Sequence, residues 1–281
     1  TVEILKGPQG TTFGASALNG AIRYQPNEPE LNAWTLRGFG DRTTVTDGGM
    51  GISYGGAINL PVGQTLALRL VGVGQRAPGI HDNLRRDEDD ADVRRKWSGR
   101  AAVRWEPLDR LSLNLMYLQQ RTEQDDVLSA DNAEGRLEND GQPGPSEIQT
   151  GFELAGLDAR YEFEGLGTLV LQASHQRKDA TGDIDSGVTG AYGLESLRGY
   201  ADFETRGSSY EARLVSPDGG DWTWIAGAAL MRYSADAYAS AYLAGTRGLT
   251  ALPGQTGLII TARGLAIAAN TVTPEAKDAS A

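Results

Sequence analysis

The chain has 281 residues, with 26 Lys+Arg against 37 Asp+Glu and a formal charge of −11. That acidity excludes a nucleic-acid binder, which needs clustered Lys and Arg at phosphates. The lack of Cys excludes disulfide frameworks, thiolate zinc sites and Cys nucleophiles.

Gly contributes 37 residues, about twice the usual share of roughly 7%, and each Gly inside a helix costs about 1 kcal/mol. The pattern therefore disfavours a helical protein. Two His residues, His81 and His175, are too few for a multi-His metal centre. No apolar run approaches the roughly 18 residues of a spanning helix; Ile225–Met231 is among the longest. The mean hydropathy of −0.37 still admits membrane strands, which alternate apolar and polar residues. Thr1 is followed by no charged-then-apolar leader, and the polar residues 273–281 close no element. The expectation is an internal piece of a longer polypeptide.

In chain order, residues 1–30 stand apart. An apolar strand (Val2, Ile4, Leu5) runs into Lys6-Gly7-Pro8, spaced glycines follow at Gly10, Gly14 and Gly20, and a second strand occupies 21–24. Past residue 30 the dominant period is two. Leu66, Leu68 and Leu70 alternate with Ala67, Arg69 and Val71, and Leu111, Leu113, Leu115 and Tyr117 oppose Ser112, Asn114 and Met116. Each such segment has one apolar and one polar face. Strands are predicted at 33–41, 49–60, 64–76, 95–106, 110–122, 150–163, 167–179, 203–215 and 221–238. A tilted strand needs roughly 9–11 residues to cross a bilayer, and these segments reach that length.

The connections alternate in length. Short turns at 60–63, 107–109, 164–166 and 216–220 use the Pro, Gly and Asp that tight reversals favour. Longer polar loops fall at 41–48, 77–94, 123–149, 180–202 and from 239 onward. Short turns on one side and long loops on the other mark an outer-membrane barrel. Trp97, Trp105, Tyr117, Tyr161, Trp222, Trp224 and Tyr233 fall near strand ends, as an interfacial aromatic girdle requires.

Two stretches resemble a known family. Val2–Leu5, Lys6-Gly7-Pro8, Phe13-Gly14 and Gly20-Ala21-Ile22 resemble the end of the plug domain of TonB-dependent outer-membrane receptors. There a strand leads to a basic residue before Gly-Pro, then an aromatic-Gly pair and a Gly-x-Ile strand. Lys6 stands where Arg is commoner, and Arg23 where Asn is usual. Tyr210-Glu211-Ala212-Arg213-Leu214-Val215-Ser216-Pro217 resembles a strand of the iron-complex receptor subset.

The resemblance implies an all-β chain: part of a 22-stranded antiparallel transmembrane β-barrel preceded by the end of a plug domain. Residues 1–30 would be the plug's end, and 31–281 about nine truncated barrel strands. It gives Lys6, Gly7, Pro8, Phe13, Gly14 and Gly20 structural roles in the plug. It further implies a receptor in the outer membrane of a Gram-negative bacterium, importing a scarce ligand, typically a ferric siderophore. A TonB-type inner-membrane protein would supply energy through a segment absent from this chain. The bilayer is then a partner, nucleic acid is not, and neither enzymatic chemistry nor a resident cofactor is implied.

Other motifs have simpler readings. Gly51-Ile52-Ser53-Tyr54-Gly55 matches the hydrolase nucleophile elbow, but it lies in an alternating strand with no helix behind it; small residues facing the plug explain it. Gly7–Gly14 lacks the Gly-Lys-Ser/Thr of a phosphate loop. Asp87, Glu88, Asp89, Asp90 and Asp92 offer oxygen ligands, yet Arg85, Arg86, Arg94, Arg95 and Lys96 flank them; a solvated, salt-paired loop is the expectation. His81 alone makes a weak haem or metal ligand. Arg100, Arg104, Glu211 and Arg213 are expected to face the lumen and contact the plug. The alternatives are a receptor for a carbohydrate, a corrinoid or haem, a soluble all-β carbohydrate-binding protein or hydrolase, and a passive porin, which would have no use for residues 1–30.

Overall fold

In a computed structural model of the chain, the described residues are 2–7, 20–127, 137–139, 144–185, 196–217, 219, 222–244, 258–261 and 264–267. Among them every regular element is a strand. These are β1 (Val2–Lys6), β2 (Gly20–Tyr24), β3 (Thr35–Thr44), β4 (Met50–Val62), β5 (Leu66–Ala77), β6 (Asp82–Asn83), β7 (Arg94–Leu108) and β8 (Leu111–Gln124). There follow β9 (Glu138–Asn139), β10 (Glu147–Phe163), β11 (Gly167–Asp185), β12 (Ser196–Val215), β13 (Ile225–Ala244), β14 (Leu258–Thr261) and β15 (Gly264–Ile267). No described helix is long and apolar enough to cross a membrane.

β1 and β2 pair with each other alone. The long strands form one antiparallel meander in the order β3-β4-β5-β7-β8-β10-β11-β12-β13, continued by β15 and β14. The all-β expectation holds, and all nine predicted strands are present. The sheet does not close on itself: β3 and β14 are its ends.

Directly paired residues on neighbouring strands project to the same side, so the register sorts every side chain. One row runs Leu60, Leu68, Val103, Leu115, Leu157, Ala173, Tyr210 and Leu230, apolar throughout. The row beside it on the opposite face runs Ala67, Arg104, Asn114, Asp158, Gln172, Glu211 and Ala229. An apolar face and a polar face on one sheet is the arrangement of a wall between lipid and an aqueous or protein-filled lumen. We call them the outer and inner faces.

The loop side departs from expectation in three ways, one of them past residue 239, read as loop, where β13 continues to Ala244 and the short strands β14 and β15 follow because their backbones still find ladder partners. The predicted loop 180–202 is in large part strand, because β11 continues to Asp185 and β12 begins at Ser196. Polar residues such as Thr181, Asp183 and Asp202 do not end a strand while their backbone groups pair across a hairpin. The ladder therefore outruns the 9–11 residues a bilayer needs. Third, the predicted loops 77–94 and 123–149 are tied together by a parallel pairing of β6 with β9.

Tyr233 is a correction to the aromatic girdle. It pairs with Gly207 in the row of Arg37 and Arg100, so it lies on the inner face. It sits one residue out of phase with its outward neighbour Arg232, and one residue of phase reverses the face. Trp97, Trp105, Tyr117 and Tyr161 do lie on the outer face, and Trp222 and Trp224 are exposed beside the turn before β13.

Candidate functional site

The inner face is covered by the segment between β2 and β3. Asn59, wholly buried on β4, accepts a hydrogen bond at Oδ1 from the Glu30 N–H (2.9 Å) and donates through Nδ2 to the carbonyls of Glu30 (2.8 Å) and Ala33 (2.5 Å). One side chain thus replaces the ladder partner that an irregular segment lacks. Further along, Arg100 donates to the Asn27 carbonyl (3.2 Å) and Arg104 pairs with Glu28 (3.7 Å). Arg100, Arg104, Glu211 and Arg213 all lie on the inner face, and the two arginines of β7 meet residues 27 and 28, within the stretch read as the end of the plug.

A cavity of about 410 Å³ opens between this segment and the wall, lined by residues 25–29 and by Arg100, Asn114, Asp158, Gln172, Ser174, Ser209 and Glu211. Ala102, Val103, Leu115, Met116, Leu157 and Ala173 also line it, so the wall mixes apolar and polar groups. Gln172 donates to Asp158 (2.7 Å), and Arg213 donates to Glu211 (2.8 Å). Arg69 Nε and Asn114 Oδ1 are buried with no hydrogen-bond partner among the described residues. Gly51, Ser53, Gly55 and Ala57 of β4 also face inward, and Ser53 is paired in mid-strand with Asp41 and Gln75. With no helix behind it, Ser53 is not in a nucleophile elbow.

At the rim the loops form one hydrogen-bonded body. Arg86 is the hub: it pairs with Asp126 and Glu88 and donates to the Gly144 carbonyl (2.8 Å). Burial disfavours its charge, but the bonds to Glu88 and Asp126 more than offset this and raise its pKa above the usual value. Asp126, with 1% of its side chain exposed, also accepts from the Ser146 N–H (2.9 Å), and Ser146 Oγ accepts from the Asp185 N–H (2.8 Å). Arg198 then reaches Asp183 and the Pro145 carbonyl (both 3.1 Å). Sequence reasoning read this region as solvated salt pairs and missed the network, because its members come from separate loops and share no local spacing.

Asp92 folds the first of these loops on itself. Its Oδ1 accepts from the N–H groups of Ile80 (2.7 Å) and His81 (2.9 Å), and its Oδ2 meets His81 Nδ1 at 2.8 Å. Burial opposes its ionisation, but these bonds prevail and hold its carboxyl below the ordinary carboxylate range. Asp90 is shifted the other way, by burial and by the like charges of Asp82, Asp89 and Asp92. Gly79 is required here, since a Cβ would lie 2.0 Å from the Asp90 carbonyl oxygen. No group of three or more metal-binding side chains occurs among the described residues.

Of the plug-motif residues, Lys6 ends β1 opposite Gly20, and Gly7 turns away with φ of 83°. Gly20 has φ of 139°, and a Cβ there would meet the Leu5 carbonyl oxygen at 2.5 Å. Pro8, Phe13 and Gly14 lie outside the described residues.

No protein-family profile matches the sequence, and no curated protein is similar to it. The fold is similar to solved structures. The ferric yersiniabactin uptake receptor FyuA from Yersinia pestis aligns with a TM-score of 0.64 at 20% identity, over 87% of this chain and 37% of that one. The siderophore receptor PiuA from Acinetobacter baumannii gives 0.60 at 13% identity, over 96% and 37%. The copper transporter OprC gives 0.57 at 18% identity, over 85% and 35%. The chain thus has the fold of a little over a third of such receptors, and spans that share of their length.

Proposed function

We propose that the chain is part of a TonB-dependent receptor of the outer membrane, and that the whole protein imports a scarce ligand, a ferric siderophore in the first instance. The observation that carries this reading is the wall itself. Its outer face is apolar along the rows of Leu66 and Leu68, while its inner face carries Arg104, Asn114, Asp158, Gln172 and Glu211 and is already fastened, through Asn59, Arg100 and Arg104, to the segment that follows β2. A passive pore has no need of a segment bonded across its lumen. Residues 1–30 are read as the end of a plug, with Lys6, Gly7, Pro8, Phe13, Gly14 and Gly20 shaping its last hairpin, and residues 31–281 as the first strands of a larger barrel. The network-bound rim loops would then form part of the outward-facing mouth.

Uptake of this kind makes and breaks no covalent bond. It needs a state that holds the ligand and an energised state that holds it less well, since a partner can shift the equilibrium only by its differential affinity for the two. A TonB-type protein acting on a segment outside this chain would supply that difference. Two of the similar structures are named for siderophores and one for copper, so copper is the second ligand to assay.

The test is uptake of radiolabelled ferric siderophores and of copper by cells carrying the full-length protein, with and without the inner-membrane energy source. Energy-dependent iron accumulation is the expected result. Energy-dependent copper uptake would keep the receptor and change its cargo. Uptake indifferent to energy would overturn the receptor reading.

A further inference from the structure

The inward cations of the wall are not spread evenly. On β7 the inner face carries Arg94, Lys96, Arg100 and Arg104, with Ser98 and Ala102 between them. Every second residue of a strand lies on one face, about 6.7 Å from the last, so these cations form a column roughly 33 Å long. Their direct neighbours on β5 are Ala77, Gln75, Val71 and Ala67. On β8 they are Gln124, Thr122, Leu118 and Asn114. A chain with a formal charge of −11 thus sets four cations in line with no carboxylate directly beside them on either adjoining strand. Arg69, buried on β5 opposite Ala102, adds a further inward cation between Arg100 and Arg104.

Across the sheet the inward charges are neutralised in place: Arg160 donates to Asp158 on β10 (2.9 Å), and Arg213 to Glu211 on β12 (2.8 Å). Arg37 on β3 and Lys178 on β11 stand singly. The foot of the β7 column is neutralised too, since Arg104 pairs with Glu106 (2.6 Å) and Glu28 (3.7 Å). Above it the pattern stops. Arg100 donates to the Asn27 carbonyl, and neither it nor the exposed Arg94 and Lys96 has an ion pair among the described residues. Residues 8–19 contain no Asp or Glu, so that part of the plug end brings no carboxylate to the column.

Taking the receptor reading as its premise, we propose that Arg94, Lys96 and Arg100 form a track for an anionic cargo along the lumen wall, from the loop rim down to the segment at residues 27 and 28. Cations lining a cleft with low-dielectric walls focus its field and raise the local concentration of a counter-charged ligand. Guanidinium groups also bind anionic oxygens through paired N–H donors. At separations of two and four residues, one multiply charged chelate meets the next cation before it leaves the last. The cargo is then a negatively charged metal chelate, and Arg104, already paired with Glu28, marks the lower end of the track.

The test measures binding of two probes to the full-length protein, a trianionic ferric tris-catecholate and a neutral ferric tris-hydroxamate, by fluorescence quenching at low and high salt. The wild type should hold the trianion at least about tenfold more tightly than the neutral probe, and high salt should shrink the difference. R94Q/K96Q should lose at least about tenfold for the trianion and nothing for the neutral probe. R94K/K96R, which keeps both charges, should match the wild type, as should R95Q, whose side chain lies on the outer face. Gel mobility checks that each variant is folded. No binding of the trianion, equal affinity for both probes, undiminished binding by folded R94Q/K96Q, or an equal loss in R95Q would each overturn the track alone. Energy-dependent uptake of the neutral chelate and not the trianion would likewise keep the receptor and overturn the track. Uptake of both chelates indifferent to energy would overturn the receptor reading and the track with it.

Discussion

At the turn end of the sheet the chain reverses within a few residues, at Gly63–Thr65 and Glu164–Leu166, and backbone pairs such as Glu106 N–H to Thr65 (2.7 Å) and Glu162 N–H to Arg110 (3.0 Å) close the ladder. At the loop end the chain leaves the ladder for long stretches. There side chains take over, with Arg86, Asp126, Ser146 and Asn83 holding the backbone of Gly144, Ser146, Asp185 and Arg86. The difference teaches where order comes from in this fold. Along the wall the backbone supplies it, leaving side chains to form an apolar and a polar face; at the rim, side-chain charges supply it.

The comparison can be broken most directly at Asp126. Asp126→Ala leaves Arg86 and the Ser146 N–H without their shared partner, at a cost of about 3–5 kcal/mol. Hydrogen exchange should rise at 80–92 and 144–146 while β7 and β8 keep their protection; equal loosening of the wall would show that the two ends are not independent. Next in size is the outer face. Leu157→Arg places a charge in the apolar band and should cost about 2–4 kcal/mol, read from denaturant titration in vesicles, and an indifferent result would argue that this face does not meet lipid.

Asn59→Ala removes three hydrogen bonds from one buried side chain and should cost about 1–3 kcal/mol, exposing residues 25–33 to protease without unpairing β4. A pH titration sharpens the rim. Asp92 has a depressed pKa, so its contribution is present above its unfolded-state pKa and is lost as pH falls through the folded-state value. The amides of Ile80 and His81 should therefore exchange faster below the usual carboxylate range, and Asp92→Asn should flatten that dependence. The smallest effect is expected at the turn end, where Arg110 and Glu164 form an exposed pair at 3.1 Å. Arg110→Ala should change stability by less than about 1 kcal/mol.

The wall was legible before any coordinates because its signal is local. Leu111, Leu113, Leu115 and Tyr117 announce one face by alternation alone, and paired strands then carry that face across the sheet. The same signal misplaced Tyr233, where proximity to a strand end outweighed its phase. It also ended β11 too soon, where polar residues were taken for loop although their backbone still paired. The site was less legible. Arg100 and Arg104 could be placed on the inner face, but nothing in their spacing names Asn27 or Glu28 as partners, and Asn59 gave no sign of being the residue that fastens the segment.

What the amino-acid order determines by itself is therefore what depends on neighbours along the chain: strand, face, turn and the sign of charge at each position. What the tertiary structure alone decides is which distant positions share a bond. Arg86 meets Asp126 and Gly144 because two loops converge over the sheet, and Asn59 reaches Glu30 and Ala33 because the segment before β3 folds back onto β4. Phase along a strand is written in adjacent residues; a bond between distant residues emerges only once the strands are paired and the loops packed.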